Sequence, residues 1–157
     1  MQYTDEEFNY FMEDFEKHRD GVNDNIYKCL NDLSSRAEVH DFSKLAEEEL
    51  PGYAWATKKL KDLPYGSPER TEVMDGFKES VVIHYKNNDH HPEHFENGVN
   101  DMNLIQILEM VCDWKSAAEC RGGDIEKTAI QNKDRFKIDD QLWAVIMNTL
   151  KFLKEEK

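Results

Sequence analysis

Histidines are concentrated in one short stretch of this 157-residue chain. The segment HYKNNDHHPEH, residues 84 to 94, contains four of the six histidines, and the last 63 residues contain none. In chain order the six are His18, His40, His84, His90, His91 and His94. Because neutral imidazole is the commonest metal ligand among protein side chains, this concentration predicts a metal site.

Two carboxylates stand where they could complete such a site. Asp41 directly follows His40, and the pair offers an imidazole nitrogen beside a carboxylate that can bridge two ions through its separate oxygens. Asp113 lies within the apolar segment EMVCDW, where a carboxylate is costly unless it is paired or bound to a cation. Taken singly, each of these residues has an ordinary role on a helix surface or in a loop. Together they favour a metal site.

The elements that must position these residues are helices. Apolar residues recur at spacings of three and four along the chain, and no convincing alternation typical of strands is present. Thr4 and Glu7 form a capping-box pattern, so residues 4 to 35 predict one long helix or two shorter ones. The segment 102–119 is the most apolar, with Leu104 among its expected buried residues. Further helices are predicted over 53–63, 68–88, 124–132 and 139–154.

One further segment is expected between the first helix and residue 53. Ser43 is predicted to cap a helix that starts at Lys44 and is interrupted by Pro51-Gly52. The sequence therefore predicts a single all-α domain over residues 1 to 157, a bundle of about six to eight helices. Its motif-bearing core spans 18–114, and C-terminal helices follow over 124–154.

Composition excludes several classes of partner. The formal charge of −13 argues against non-specific binding to nucleic acid or to anionic membranes, because both depend on Lys and Arg contacts. No stretch approaches the roughly 18 apolar residues of a membrane span. The start MQYTDEEFNYF lacks the pattern of a signal peptide. Cys29, Cys112 and Cys120 form no paired framework, so we expect small buried thiols in a reduced, cytoplasmic setting.

The ligand pattern resembles a known superfamily. The series H(18), HD(40–41), H(84), HH(90–91), D(113) resembles that of the HD-domain superfamily of metal-dependent phosphohydrolases. "HDFSK" is similar to the HD-x-G-K of the HD-GYP subgroup, and "HHPE" resembles its HHE. More closely, residues 18 to 114 resemble a family of small HD-like proteins from bacteria and phages without an assigned function. Because a GYP segment is absent, a cyclic-di-GMP substrate is not implied.

This resemblance implies a helical bundle of the HD type with a metal site of one or two ions. The first ion would be held by His18, His40, Asp41 and Asp113. Asp41 would bridge to a second ion, held by His84, His90 and His91. Nitrogen-rich ligands of this kind suit Mn, Fe, Co, Ni or Zn better than Ca or Mg. Four other residues are expected to orient the ligands: Asn88, Glu93, His94 and Glu109.

The implied chemistry is hydrolysis of a small phosphorylated substrate such as a nucleotide. Asp41 would act through the ions, and Lys44, which matches the lysine of the motif, would bind a phosphate oxygen. Two alternatives remain open at this point. One is a di-iron oxygenase, since the HD scaffold also supports such enzymes. The other is a non-catalytic, metal-stabilised protein that binds a nucleotide.

Overall fold

Helices, joined by turns and loops, make up the part of the chain that the structure describes. A computed structural model describes residues 2–64 and 66–154, and no strand occurs among them. The seven α-helices are α1 Asp5–Val39, α2 Leu50–Leu60, α3 Pro68–Gly76, α4 Lys78–Asn87, α5 Leu104–Cys120, α6 Ile125–Phe136 and α7 Asp140–Lys154. Three 3-10 turns cover Phe42–Leu45, Pro92–His94 and Gly98–Asp101. The prediction of an all-α fold with six to eight helices is confirmed.

The contacts divide the chain after Val39 into two compact units. The first consists of α1, a single uninterrupted helix. Its start has the predicted capping box, in which the Glu7 N–H donates to Thr4 Oγ1 and the Thr4 N–H donates to Glu7 Oε2. The second unit, from His40 onward, contains the other helices. The interpretation of residues 1 to 157 as one domain stays a prediction.

Several helix boundaries differ from those predicted. Ser43 lies within the 3-10 turn Phe42–Leu45 and does not cap a helix from Lys44. Pro51-Gly52 was expected to interrupt a helix, but Pro51 lies in the first turn of α2, where its missing N–H has no intrahelical partner to lose. The predicted helix 68–88 is divided into α3 and α4 at Phe77, whose backbone (φ −124°, ψ 18°) leaves the helical region. Beside this break, a Cβ on Gly76 would lie 2.7 Å from the Trp55 ring. Any larger residue at position 76 would therefore require the Trp55 ring to move.

The core of the second unit is built around α5. Its buried face presents Met110, Val111 and Trp114 to residues of α6 and α7, among them Ala129 and Ile146. Asn103 caps α5 by accepting from the Ile105 and Gln106 N–H groups. Leu104, predicted to be buried, is 74% exposed because it occupies the first residue of the helix, beyond the face that packs.

The prediction that the cysteines are buried is wrong. Cys29, Cys112 and Cys120 are free thiols, and all three are exposed rather than buried. On α5, Val111 and Trp114 face the core, which leaves Cys112 on the outward side. Within the described residues, no helix combines the length and apolar character needed to cross a membrane.

Helix α2 packs tightly on α4, and this contact places a carboxylate beside a histidine. A Cβ on Gly52 would lie 2.2 Å from Ser80 Oγ, so only glycine permits the approach of the two backbones. Glu49, immediately before α2, is 0% exposed. The packing brings its carboxylate against His84 near the end of α4.

Candidate metal centre

Residues from four segments of the second unit converge on one point. His40 and Asp41 precede the first 3-10 turn, His84 lies in the last turn of α4, and His90 and His91 form the turn that follows. The fourth segment, α5, contributes Asp113 and Glu109. Asp41 has a left-handed backbone (φ 61°), a conformation that Asp and Asn adopt more readily than other non-glycine residues. This turn directs the Asp41 carboxylate towards the histidines.

The Asp41 carboxylate belongs to two sets of potential ligands. The first, here called the three-histidine group, consists of Asp41, His84, His90 and His91. Asp41 Oδ1 lies 3.1 Å from His84 Nε2 and 3.6 Å from His90 Nε2. His91 Nε2 lies 3.0 Å from His84 Nε2. Both neighbouring histidines, 90 and 91, therefore face the same point.

The second set, here called the His40 group, consists of His40, Asp41 and Asp113. His40 Nε2 lies 3.6 Å from Asp41 Oδ2 and 3.8 Å from Asp113 Oδ1. The two oxygens of Asp41 thus serve different groups, Oδ1 the three-histidine group and Oδ2 the His40 group. This is the arrangement a bridging carboxylate requires.

Buried carboxylates hold the far side of the ligand rings. Glu109 Oε1 lies 2.8 Å from His40 Nδ1 and 3.3 Å from His90 Nδ1. Glu49 Oε2 lies 2.9 Å from His84 Nδ1. A carboxylate can only accept in these contacts while it is ionised, so the Nδ1 atoms of His40 and His84 donate. When either ring is neutral, a donating Nδ1 leaves the lone pair on Nε2, the tautomer that metal binding needs.

Glu49 is the functional residue that the sequence interpretation missed. Its Oε1 accepts from Asn87 Nδ2 at 2.8 Å, and its Oε2 accepts from Ser43 Oγ at 3.1 Å in addition to the His84 contact. It stands in the run AEEEL with two exposed glutamates before it. The only sequence feature that distinguishes Glu49 from these two neighbours is its position directly before the first residue of α2.

Two buried polar atoms at the centre of this cluster lack hydrogen bonds. Asp41 Oδ1 and His90 Nε2 have no hydrogen-bond partner among the described residues. His84 Nε2 is near Asp41 Oδ1, yet no donor there reaches this oxygen in hydrogen-bonding geometry. Buried polar atoms almost always have a partner. These two atoms therefore indicate a site for a bound group, such as a metal ion, that an oxygen and a nitrogen can both contact.

The spacing of the donor atoms fits a divalent ion. Two atoms bound to one ion at about 2.1 Å each can be no more than about 4.2 Å apart. The Asp41 contacts with His84, His90 and His40 all satisfy this limit, as does the His40–Asp113 contact. Both the identity and the spacing of the residues therefore fit a metal site.

The charges of the cluster differ between the two groups. The Asp113 carboxylate is the strongest influence on His40; together with Glu109 and Asp41 it raises the pKa of His40 to about 9, against the effect of burial. Burial, with His90 and His84 as neighbours, lowers the pKa of His91 to about 3. Burial also lowers the pKa of His90. At neutral pH, His40 is therefore mostly protonated, whereas His90 and His91 are neutral.

Asp41 is ionised at neutral pH in spite of its position. Burial acts to raise the pKa of its carboxyl, but the contacts with His84 and Lys44 outweigh burial and hold that pKa below its usual range. Lys44 Nζ pairs directly with Asp41 Oδ2 and lies 5.0 Å from the centre of the Tyr53 ring. The predicted phosphate-binding lysine thus stands at the edge of the cluster.

The remaining predicted residues occupy different positions. Asn88 supports His84, since its Nδ2 donates to the His84 carbonyl at 2.8 Å and to Ser43 Oγ at 2.7 Å. Glu93 pairs instead with Arg135. His94 Nδ1 contacts the Tyr85 carbonyl at 3.2 Å. Neither Glu93 nor His94 belongs to a group of potential ligands among the described residues.

His18 lies on α1, in the other unit, with its side chain exposed. Along this uninterrupted helix it is about 32 Å from Val39, at a rise of 1.5 Å per residue. No group of potential ligands in the described residues includes it. Its assignment as a ligand stays a prediction that the geometry within α1 does not support.

Comparison with known proteins gives one match. No curated protein and no solved structure matches the chain. A family model described as "Family of unknown function (DUF5662)" matches residues 7–155, which is almost the whole chain and includes every residue of both ligand groups. The resemblance to the HD-domain superfamily stays a prediction. By this match, the chain belongs to the DUF5662 family.

Proposed function

We propose that this chain is a metal-dependent phosphohydrolase that acts on a nucleotide or another small phosphoester. The observation that carries the proposal is the pair of buried atoms Asp41 Oδ1 and His90 Nε2, which lie 3.6 Å apart without hydrogen bonds among the described residues. The charged Lys44 beside them supplies a contact for phosphate. A cationic side chain next to a metal site is typical of proteins that bind phosphoryl groups.

The two ligand groups assign the residues that would hold the ions. The three-histidine group would hold one ion and the His40 group a second, with Asp41 shared between them. Mn, Fe, Co, Ni and Zn are the ions that suit these ligands. When bound, such ions lower the pKa of water and polarise a phosphoryl oxygen.

The side chains around the cluster have separate tasks. Glu49 and Glu109 orient His84 and His40 by accepting from their Nδ1 atoms. Lys44 Nζ, paired with Asp41 Oδ2, is placed to exchange this carboxylate for a phosphate oxygen when substrate binds. Because the ammonium nitrogen also lies over the Tyr53 ring, 5.0 Å from its centre, the ammonium is directed before substrate arrives, which reduces the ordering cost of binding.

Metal content and phosphate release test this function. The chain would be purified without chelator or a histidine tag, subjected to elemental analysis, and incubated with nucleotides and a generic aryl phosphoester. We expect one to two transition-metal ions per chain and phosphate release that stops on chelation. Absence of bound metal after reconstitution with manganese, iron or zinc would refute the site. Bound metal without hydrolysis of any phosphoester would refute the reaction, and iron with dioxygen consumption would favour the oxygenase.

Lys44 is expected to contribute to substrate binding and not to metal binding. Lys44→Gln should leave metal content unchanged and raise KM for the phosphoester about tenfold, since a charge-assisted hydrogen bond contributes about 1.5–3 kcal/mol. The measurement is steady-state kinetics beside elemental analysis. Lys151→Gln, a change at an exposed lysine of α7, is the control. Loss of metal in Lys44→Gln would contradict the assignment.

The two groups should respond differently to pH. His40, with its pKa raised to about 9, must lose a proton before it binds an ion, so affinity at the His40 group should rise about tenfold from pH 7 to pH 8 and level off above pH 9. His91, with its pKa lowered to about 3, adds no such dependence in this range. Calorimetric titration in buffers of different ionisation enthalpy would count the released protons.

His40→Gln is the matched change for this measurement. It should abolish the pH-dependent binding step while the three-histidine group still binds its ion. An equal pH dependence of both steps in the native protein would show that the protonation state of His40 does not separate the two groups.

A further inference from the structure

Helix α1 carries a largely apolar stripe whose residue spacing is symmetric about Val22 from Phe11 to Leu33. The stripe consists of Phe8, Phe11, Phe15, His18, Val22, Ile26, Cys29 and Leu33. Outward from Val22, its members follow at intervals of 4, 3 and 4 residues, to Phe11 in one direction and to Leu33 in the other. Phe8 lies a further three residues beyond Phe11, and the position symmetric to it is Arg36. Intervals of three and four residues keep side chains on one side of a helix and are typical of helices that pair.

This stripe is accessible along its length. None of the 35 residues of α1 is buried, and Phe8, Phe11, Phe15, Val22 and Ile26 are 42–58% exposed. A row of half-exposed aromatic and aliphatic side chains on this scale marks an interaction surface. Helices gain most of their stability from packing such a face rather than from intrinsic propensity, so α1 needs a partner surface.

We propose that the partner is α1 of a second copy of this chain, paired antiparallel about a two-fold axis at Val22. The symmetric spacing carries this assignment, because a two-fold pair requires each copy to offer the same surface read in opposite directions. In this pairing Val22 meets the partner's Val22. Phe15 lies opposite the partner's Cys29, and Phe11 opposite the partner's Leu33, so that apolar side chains face each other along the stripe.

Charge favours the antiparallel orientation over the parallel one. The half of α1 before Val22 has seven acidic and two basic residues, whereas the half after it has three acidic and two basic residues. A parallel pair would place the two strongly acidic halves side by side, and like charges at such positions are destabilising. The antiparallel pair sets each acidic half against a nearly neutral one.

His18 has a place in this pairing that is independent of metal. It lies in the stripe between Phe15 and Val22, opposite the partner's Ile26. The inference therefore does not rest on the proposed function, and its failure would leave the metal centre untouched. Replacing His18 with leucine should tighten the association and leave metal content unchanged, an outcome that a ligand role would not allow.

Sedimentation of the full chain over a range of concentrations tests the association. The native 18.5 kDa chain should sediment at about twice that mass. Phe15→Asp should raise the dimer Kd at least about 100-fold, because two phenyl rings per dimer lose their burial. Tyr27→Asp, an equal change at an exposed aromatic residue outside the stripe, should have little effect. A native chain that stays monomeric, or a dimer indifferent to Phe15→Asp, would overturn the proposal.

Disulfide trapping tests the orientation, because a covalent bond captures the pair even where the loss of the Phe15 ring weakens association. In a Cys112→Ser, Cys120→Ser background, Phe15→Cys should form disulfide dimers through the partner's Cys29. Positions 15 and 29 of one α1 are about 21 Å apart, so that bond must join two chains. In the same background without Phe15→Cys, the one remaining thiol, Cys29, should not cross-link. Efficient linkage of Cys29 to the partner's Cys29 would indicate a parallel pair and refute the antiparallel one.

Discussion

Replacing Asp41 with asparagine is expected to remove metal from both ligand groups, with affinity lowered about 1,000-fold. Asp41 Oδ1 serves the three-histidine group and Oδ2 serves the His40 group, so one substitution withdraws a charged donor from both. Removing one charge from a buried, paired set costs about 3–5 kcal/mol, and 1.4 kcal/mol corresponds to a tenfold change in affinity. Elemental analysis and calorimetric titration measure the effect.

Asparagine is preferable to alanine at this position because of the backbone. Asp41 has φ 61°, and asparagine tolerates this left-handed conformation whereas alanine is strained there. A loss of metal in Asp41→Asn therefore reports on the carboxylate. Asp75→Asn, at an exposed aspartate of α3, is the control for the charge change. Retention of two ions per chain in Asp41→Asn would refute the shared role of this residue.

Sequence alone predicted those parts of the site whose residues lie close together along the chain. The dipeptide His40–Asp41 and the cluster His84, His90 and His91 are recognisable because the ligands are close in the chain. Asp113 and Glu109 were found because polar residues one turn apart in an apolar helix stand out. The contact distances among these residues are a property of the tertiary packing.

Glu49 could not be found in this way. It meets His84 across 35 residues of chain, and the contact exists only because α2 approaches α4 at Gly52. Because Glu49 is one of three consecutive glutamates, the sequence pattern does not distinguish its buried carboxylate from those of its exposed neighbours. Glu93 shows the converse, since it stands beside the histidines in the chain but pairs with Arg135 of α6.

The fold followed from helical periodicity, and its exceptions have local causes. The regular pattern from Thr4 onward predicted α1, and the capping residues of α1 lie where expected. The prediction that Pro51 interrupts a helix fails because proline both ends helices and occupies their first turn, and sequence alone does not distinguish the two positions. The cysteines were assigned to the core on residue type alone, which does not indicate the face of the helix on which a thiol lies.

Replacing Glu49 with glutamine is expected to weaken metal binding at the three-histidine group by about 10–100-fold, the usual effect of losing a partner that orients a ligand. Glutamine keeps the shape but removes the charge that fixes the Nδ1–H form of His84. The folded state should also lose about 1–3 kcal/mol, because Ser43 and Asn87 donate to the same buried carboxylate. Nitrogen-15 NMR of the His84 ring measures its tautomer directly.

Glu48→Gln supplies the matched control, because it makes the same chemical change at the exposed neighbouring glutamate. A purely structural role for Glu49 would lower the unfolding free energy and leave the tautomer of His84 and the metal affinity unchanged. An orienting role of Glu49 would change the unfolding free energy, the tautomer of His84 and the metal affinity together. If Glu49→Gln lost stability alone, the ring of His84 would be held by Asp41 and His91 instead, and the buried carboxylate would belong to the packing of α2 on α4.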